Sequence, residues 1–228
     1  MSQLSKLTSG LSSNQKKFLA EVIGTFVVVI FATGSVVLDA KYPGTFGLWF
    51  VALAPVVAVA GMVYLFGKIS MAHFNPAVTI GFLITKHTQK NLFALYLAAE
   101  IIGAILGSIF VKYVIGLNAN LGANAPDYHF SIPLIIGVEI LATALLTAVI
   151  MIVVHTKGLR GFGGIVMGGM VGLDIFFLAF ISGASMNPAR ALAPALVSGY
   201  LNDLWLYWTA PFLGSALVSV IYRKKFVK

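Results

Sequence analysis

The residues with the clearest chemical pattern are two copies of Asn-Pro-Ala, at 75–77 within "AHFNPAVTIG" and at 187–189 within "ASMNPARALA". Each copy leads into an apolar run of about ten residues, and Arg190 follows the second copy only. An asparagine amide carries two N–H donors and arginine carries a permanent cation, so the available chemistry is hydrogen bonding and charge repulsion. The pattern indicates selection among small molecules rather than bond making.

A proline at the first position of a helix costs no hydrogen bond, and the asparagine before it is a favoured N-cap. Residues 75–84 and 187–197 are therefore predicted as short helices of about 15 Å, half the thickness of a bilayer. If they enter from opposite sides, their positive ends and the amides of Asn75 and Asn187 face one point. Such a point passes neutral molecules, repels cations and interrupts proton hopping, because a central water accepts from both amides.

Other chemistries find little support in the residue types. The chain has no cysteine, which excludes disulfides, thiol catalysis and cysteine-ligated metals. No catalytic triad or carboxylate pair is recognisable, and His87, His129 and His155 show no metal-ligand spacing. We therefore expect no enzyme, no cofactor and no metal site. An ion-coupled secondary transporter stays as the alternative, although it would need a carboxylate where this chain has asparagine.

The elements that must position these motifs are membrane-spanning helices. Hydrophobic residues make up 59% of the 228 residues and charged residues 10%, whereas a soluble domain is about a quarter charged. Six stretches are long enough to cross a bilayer, at 18–38, 46–66, 92–115, 132–154, 162–181 and 204–222. The prediction is an all-α membrane protein with six transmembrane helices and two re-entrant half-helices.

Lysine and arginine are distributed unevenly between the two sides of this predicted bundle. With residues 1–17 as a cytoplasmic tail, nearly all the basic residues fall on the inner side, and only Lys41 and Lys112 fall in outer connectors. This bias predicts a protein of the cell membrane with both termini on the cytoplasmic side. It also explains the net charge of +8 without a nucleic-acid partner.

The two halves of the chain repeat one pattern. "AEVIGT" at 20–25 and "VEILAT" at 138–143 place Glu21 and Glu139 four residues before a threonine, early in the first helix of each half. Each half holds an odd number of full spans, so the second copy must be inverted in the membrane. We expect a single domain over 18–228, built from repeats at about 18–115 and 132–222.

The motifs of this chain resemble those of the aquaporin, or major intrinsic protein, family over about residues 18–222. The resemblance is carried by "AEVIGTF", "ISMAHFNPAVTIGF", "VEILATALL" and "SGASMNPARALAPAL". It implies an aquaporin-like bundle, a pore through each protomer and a homotetramer that passes water and small uncharged solutes. By matching positions, it implies Asn75 and Asn187 as the pore centre and Arg190 as the constriction arginine.

The resemblance also assigns supporting residues. Glu21 and Glu139 match buried glutamates that hold the pore-lining loops, with a functional proton site as the alternative. His73 matches a histidine that helps to hold the first loop. The pore-lining backbone is expected at Ala72, His73, Phe74, Gly183 and Ser185.

The same resemblance implies an outer selectivity filter of four residues: Pro55, Ile175, Ala184 and Arg190. This set lacks the aromatic residue and histidine of water-selective members, so the opening is expected to be wider and less polar. It is similar to the nodulin-type, aquaglyceroporin-like branch, which implies passage of water together with glycerol, urea, ammonia or undissociated boric and arsenous acids. A proline within a helix kinks it, so Ala54 is an alternative filter residue.

Two residues depart from the family pattern. Met71 stands where the family usually has glycine, and it either narrows the inner vestibule or packs into the bundle. Asp174 has no family counterpart. It is either a lipid-contact or interface residue, or a second polar feature near the pore mouth.

Overall fold

The structure is a computed structural model that describes residues 10–226. Its main helices are α1 (Ser13–Lys41), α2 (Gly47–Ser70), α3 (Pro76–Ile84), α4 (Phe93–Phe110), α5 (Ile132–His155), α6 (Gly163–Ser182), α7 (Pro188–Ser198), α8 (Leu204–Tyr207) and α9 (Ala210–Phe226). Short helical segments at Lys90–Leu92, Asn118–Gly122 and Lys157–Phe162 lie in the connectors. Six segments are long and apolar enough to cross a membrane. The described residues form no β-strand, which confirms the predicted all-α membrane protein.

The ends of the bundle are named here by the chain segments they carry. The inner end carries the start of α1 and the end of α9, and the outer end carries the connectors 42–46, 116–131 and 199–203. Helix α3 runs from the middle of the bundle to the inner end, and α7 runs from the middle to the outer end. The two half-helices therefore point in opposite directions, as the inverted repeat requires.

Helix α1 begins at Ser13, before the position expected from the apolar run that starts at Phe18. The Ser12 hydroxyl accepts a hydrogen bond from the backbone N–H of Gln15, and the Gln15 side chain accepts from the N–H of Ser12. This capping box satisfies two N–H groups that would otherwise be free at the helix start. Part of the predicted tail at 1–17 is thus helical, and its residues 1–9 lie outside the described residues.

Small residues at equivalent places in the two halves bring helix backbones together. A methyl group on Gly103 in α4 would lie 2.4 Å from the Val22 carbonyl oxygen in α1. In the second half, a methyl group on Gly214 in α9 would lie 2.3 Å from the Ile140 carbonyl oxygen in α5. Close crossing at small residues is a common basis of helix association in membranes.

The structure departs from the predicted spans at two places. The predicted helix at 204–222 is divided into α8 and α9, because Pro211 lies at the start of α9 and supplies no N–H to the preceding turn. The predicted helix at 92–115 ends in a single π-helical turn, Val111–Ile115, which closes at Gly116. Both irregularities lie toward the outer end of the bundle.

The crossing at Gly103 gives the first testable prediction. Gly103→Ala forces the α1 and α4 backbones apart, and overpacking of this kind costs about 1–3 kcal/mol. We expect a lower thermal unfolding midpoint for the purified full chain in detergent. Gly137→Ala in α5 is the matched control, because nothing lies within 4 Å of a methyl group at that exposed helical position. Equal midpoints for the two variants would contradict the close crossing.

Candidate functional site

A narrow cavity of about 70 Å³ runs through the centre of the bundle. One wall carries the backbone and polar groups of the segments before α3 and α7, and the opposite wall is apolar. The apolar wall includes Val28, Ala32, Val59, Val63, Val78, Leu146, Ile150, Met167 and Val171. We call this cavity the conduit. A conduit with one polar and one hydrocarbon wall can hold a file of small hydrogen-bonding molecules.

The two asparagines meet at the middle of the conduit and tie the two halves together. The Asn75 Nδ2 donates to the Met186 carbonyl oxygen at 2.8 Å, and the Asn187 Nδ2 donates to the Phe74 carbonyl oxygen at 2.9 Å. Each amide nitrogen has two hydrogens. One N–H of each asparagine is therefore used between the halves, and one is left for a molecule in the conduit.

The side-chain oxygens of the same residues cap the half-helices. The Asn75 Oδ1 accepts from the Ala77 N–H at 2.9 Å. The Asn187 Oδ1 accepts from the N–H groups of Ala189 and Arg190 at 3.0 and 3.2 Å. Each cap fixes its amide so that the N–H groups point away from the helix, beside the positive end of the helix dipole.

The segments before the half-helices have an unusual backbone that repeats between the halves. Ala72 and Phe74 have φ of 53° and 51°, and Ala184 and Met186 have φ of 41° and 54°. Each non-glycine residue in this left-handed region costs about 1–2 kcal/mol. Such a backbone persists only where its surroundings stabilise it.

Two buried glutamates supply that stabilisation. Glu21 accepts from the backbone N–H groups of His73 and Phe74 at 3.0 and 2.7 Å. Glu139 accepts from the N–H groups of Ser185 and Met186 at 3.2 and 2.7 Å. Neither glutamate lines the conduit, so the carboxylates act on the loops and not on molecules in transit.

A serine and a tyrosine complete each loop support, and sequence reasoning missed them. The Tyr96 hydroxyl donates to the Ser70 carbonyl oxygen, and the Tyr207 hydroxyl donates to that of Ser182, both at 2.7 Å. The Ser182 hydroxyl in turn donates to Glu139 at 2.9 Å. The sequence indicator available was the Ser at the same place in "ISMAHFN" and "ISGASMN".

His73 is held by a chain of side chains behind the first loop. The Thr79 hydroxyl donates to Glu100 Oε1 at 2.5 Å, so it accepts from His73 Nδ1 at 2.8 Å. The Tyr96 ring stacks on the imidazole with centroids 4.3 Å apart. This fixes the hydrogen of His73 on Nδ1. Glu100 and Thr79 are further positioning residues that the sequence did not reveal.

Arg190 lies at the outer end of the conduit and is held by a residue from the connector 116–131. Its guanidinium donates to the Asn124 side-chain oxygen, and the Asn124 Nδ2 donates to the Gly183 carbonyl oxygen at 2.9 Å. Asn124 therefore orients both the cation and the backbone before Ala184. Asn124 was missed, because nothing in a polar connector marks the one residue that folds back into the bundle.

The four predicted filter residues, Pro55, Ile175, Ala184 and Arg190, all line the conduit. Ala54 lines a separate apolar groove on the side of the bundle, so the geometry favours Pro55 over the alternative.

The predicted pore-lining backbone matches the conduit with one exception. Ala72, His73, Phe74 and Ser185 line the conduit, whereas Gly183 does not. The Gly183 carbonyl is occupied by Asn124, and its place in the lining is taken by Ala184 and Met186, which are among the lining residues.

The two residues that the sequence left open have distinct positions. Met71 ends α2 in the left-handed region, with φ of 69°, and it both packs against the apolar cluster of the bundle and lines a second cavity at the inner end. Asp174 is buried beside the bundle core and does not line the conduit. Its Oδ2 has no hydrogen-bond partner among residues 10–226.

Comparison with known proteins identifies relatives of this arrangement. The sequence model of the family described as major intrinsic protein matches residues 8–222. Aquaporin NIP3-1 of Arabidopsis thaliana is 36% identical over 207 residues, covering 88% of this chain and 64% of the relative. Aquaporin Z of Rhodopseudomonas palustris is 34% identical over 225 residues, covering 92% and 93%.

A solved structure supports the fold alone. The X-ray structure of the aquaglyceroporin from Plasmodium falciparum superposes with a TM-score of 0.80 at 22% identity, covering 94% of this chain and 97% of that one.

The loop supports generate the second prediction. Glu139→Leu leaves two backbone N–H groups and the Ser182 hydroxyl without an acceptor, and each unsatisfied buried donor costs about 1–3 kcal/mol. We expect a large loss of folded protein, measured as thermal unfolding of the full chain in detergent. Glu139→Gln keeps one carbonyl oxygen and is expected to fall between the wild type and the leucine variant. A leucine variant as stable as the wild type would contradict this role.

Proposed function

We propose that this chain, which belongs to the major intrinsic protein family, is a passive channel whose outer filter admits water and uncharged solutes larger than water. It is a multi-pass membrane protein of a family of channels and not an enzyme. The observation that carries the finer proposal is the lining of the outer filter. Ile175, Ala184 and Pro55 offer no side-chain hydrogen-bond donor or acceptor, so Arg190 is the only polar side chain among the four filter residues.

An apolar filter changes which solutes can pass. A filter with several polar side chains holds water tightly and excludes wider molecules. Here the hydrocarbon wall can contact the carbon side of a solute, while Arg190 and backbone carbonyls contact its hydroxyl or amide groups. This supports glycerol, urea, ammonia and undissociated boric or arsenous acids as solutes, beside water.

The charges along the conduit oppose cations. The N-terminal ends of α3 and α7 and the Arg190 guanidinium all present positive potential to the conduit. The conduit is lined by no carboxylate among the described residues, since Glu21, Glu139 and Asp174 lie outside the lining. An ion-coupled transporter needs an acidic group at this place, so the geometry favours the passive channel.

Position in the cell and orientation are part of the proposal. The inner end carries Lys17, Lys68, Lys86, Lys90, Lys157, Arg223, Lys224 and Lys225. This excess supports a cytoplasmic inner end, with both termini on that side of a cell membrane.

The face formed by α2 and α6 supports a homotetramer. Within the protomer, only 17% of the apolar part of α2 and 28% of that of α6 is buried, which is less than in the other four spans. Trp49 and Phe177 on this face are 74% and 61% exposed, beside a groove lined by Leu53, Leu173 and Phe176. We propose that neighbouring protomers cover this face.

The filter can be tested by one substitution. Ile175→His places a polar, aromatic ring in the filter. Because the narrower and more polar filter no longer fits the carbon side of glycerol or urea, their permeability is expected to fall by about tenfold or more. Water permeability should fall much less. Stopped-flow light scattering of proteoliposomes measures all three.

Ile175→Val is the matched control for this test, because it keeps the filter apolar and should retain the glycerol-to-water ratio. A histidine variant with an unchanged ratio would contradict the filter assignment. Solute flux that requires an ion gradient would contradict the passive channel itself.

The assembly can be tested with single cysteines, because the chain contains none. We expect native mass spectrometry to give four protomers, and a short bismaleimide to join Phe177→Cys protomers in membranes. Leu213→Cys, on the exposed face of α9 and 58% exposed, is the control and should not be joined. A monomer, or equal joining at both positions, would contradict the proposed interface.

A further inference from the structure

Two histidines far apart in the sequence meet at the inner end of the bundle. His87 lies in the connector after α3, and His155 is the last residue of α5. Their rings have centroids 4.7 Å apart at an interplanar angle of 80°. Tyr222 of α9 packs against His155 with centroids 4.5 Å apart, so three elements hold the pair in place.

The hydrogen bonds of the pair determine which ring nitrogens are free. The Thr85 hydroxyl donates to the Gly81 carbonyl oxygen, so it accepts from His87 Nδ1 at 2.8 Å. His155 Nδ1 donates to the Met151 carbonyl oxygen at 2.7 Å. Each neutral ring therefore carries its hydrogen on Nδ1 and a lone pair on Nε2. Within residues 10–226, neither Nε2 has a hydrogen-bond partner.

Both rings line the second cavity, which has a volume of about 660 Å³. This inner cavity shares Val63 and Met167 with the conduit, so the two spaces adjoin. Lys68 also lines the cavity, on a flexible stem that lets its ammonium stay in water. Both imidazole rings thus line a water-accessible space that adjoins the conduit.

We propose that His87 and His155 form a binding site for a divalent transition-metal ion of the Zn²⁺ class. Imidazole nitrogen binds Zn²⁺ at 2.0–2.1 Å, which puts each ring centre about 3.2 Å from the ion. Two ring centres 4.7 Å apart can both lie at that distance from one ion, which they would then flank at an angle of about 95°. An Nδ1 hydrogen bonded to a carbonyl or hydroxyl oxygen is also the usual support of a metal-binding histidine.

The site is open and not a closed structural site. The described residues hold no group of three or more histidine, aspartate or glutamate side chains suited to a metal, so water from the inner cavity completes the coordination. Binding is accordingly reversible and weaker than at a four-ligand zinc site.

Metal binding competes with protons at the same nitrogens. Burial and the neighbouring His155 lower the pKa of His87 below its ordinary value. The neutral imidazole, with its free lone pair, is the form that binds the ion. The titratable groups near the pair are Lys68 and Tyr64 of α2, Tyr222 of α9 and His73 of the segment before α3.

A metal at this position has a consequence for transport that rests on the proposed function. The bound ion and its waters occupy part of the inner cavity that adjoins the conduit, so they hinder solutes on their way to the conduit and add positive charge on its inner side. Metal on the inner side should slow water and glycerol flux, and a chelator should restore it.

Binding is tested on the full chain purified without a polyhistidine tag, by titration calorimetry with Zn²⁺ in detergent. We expect one ion per protomer, with affinity reduced about tenfold or more in His87→Gln and in His155→Gln. His129→Gln is the matched control, because His129 is 95% exposed on the outer connector and pairs only with Asp127. The proposed site would be overturned if the wild type showed no saturable binding, or if a variant with both His87→Gln and His155→Gln still bound Zn²⁺.

Cu²⁺ serves as a second probe that counts ligands. Electron paramagnetic resonance should show coupling to two imidazole nitrogens in the wild type and to one in each single variant. Equal spectra for wild type and variants would overturn the shared site. Water and glycerol flux are measured separately, in proteoliposomes that have Zn²⁺ on the inner-end side of the protein. A loss of passive transport is thereby distinguished from a loss of metal binding.

Discussion

The structure depends on the requirement that backbone polar groups in the middle of a membrane find partners within the protein. The chain interrupts its helices twice at that depth, and each interruption leaves N–H groups without helical partners. Glu21 and Glu139 accept those N–H groups, and the caps of Asn75 and Asn187 satisfy the first turns of α3 and α7. Because the N–H groups are held, the carbonyl oxygens are free to face the conduit. The polar wall of the conduit is thus a by-product of the way the broken backbone is stabilised.

The two halves share this solution and differ where selection takes place. Val78 and Arg190 each follow their asparagine by three residues, and both line the conduit. The inner position is therefore apolar and the outer one cationic. Asn124 has no equivalent in the inner connectors among the described residues, and it fixes the cation at the outer end only. The two halves therefore stabilise their loops in the same way, yet the narrow cationic filter is formed at the outer end only.

Much of this arrangement follows from local sequence patterns. The six spans, the half-helices and the caps depend on apolar length, proline and asparagine, which act within a few residues. The break between α8 and α9 was not predicted, because the apolar run continues through Pro211 and hides it. The contacts of Asn124 with Arg190, of Glu100 with Thr79 and of His87 with His155 join residues 21 to 68 positions apart. No local sequence pattern identifies such pairs, because the packing of the helices determines which distant residues come into contact.

The crossed bonds between each asparagine and the opposite loop limit what the middle of the molecule can do. Widening that point would break both Asn75–Met186 and Asn187–Phe74 at once, in a place where water cannot replace them fully. The centre therefore works as a fixed aperture whose bore is set during folding. Any adjustment of throughput, in response to the state of the cell, has to be made by side chains at the two vestibules.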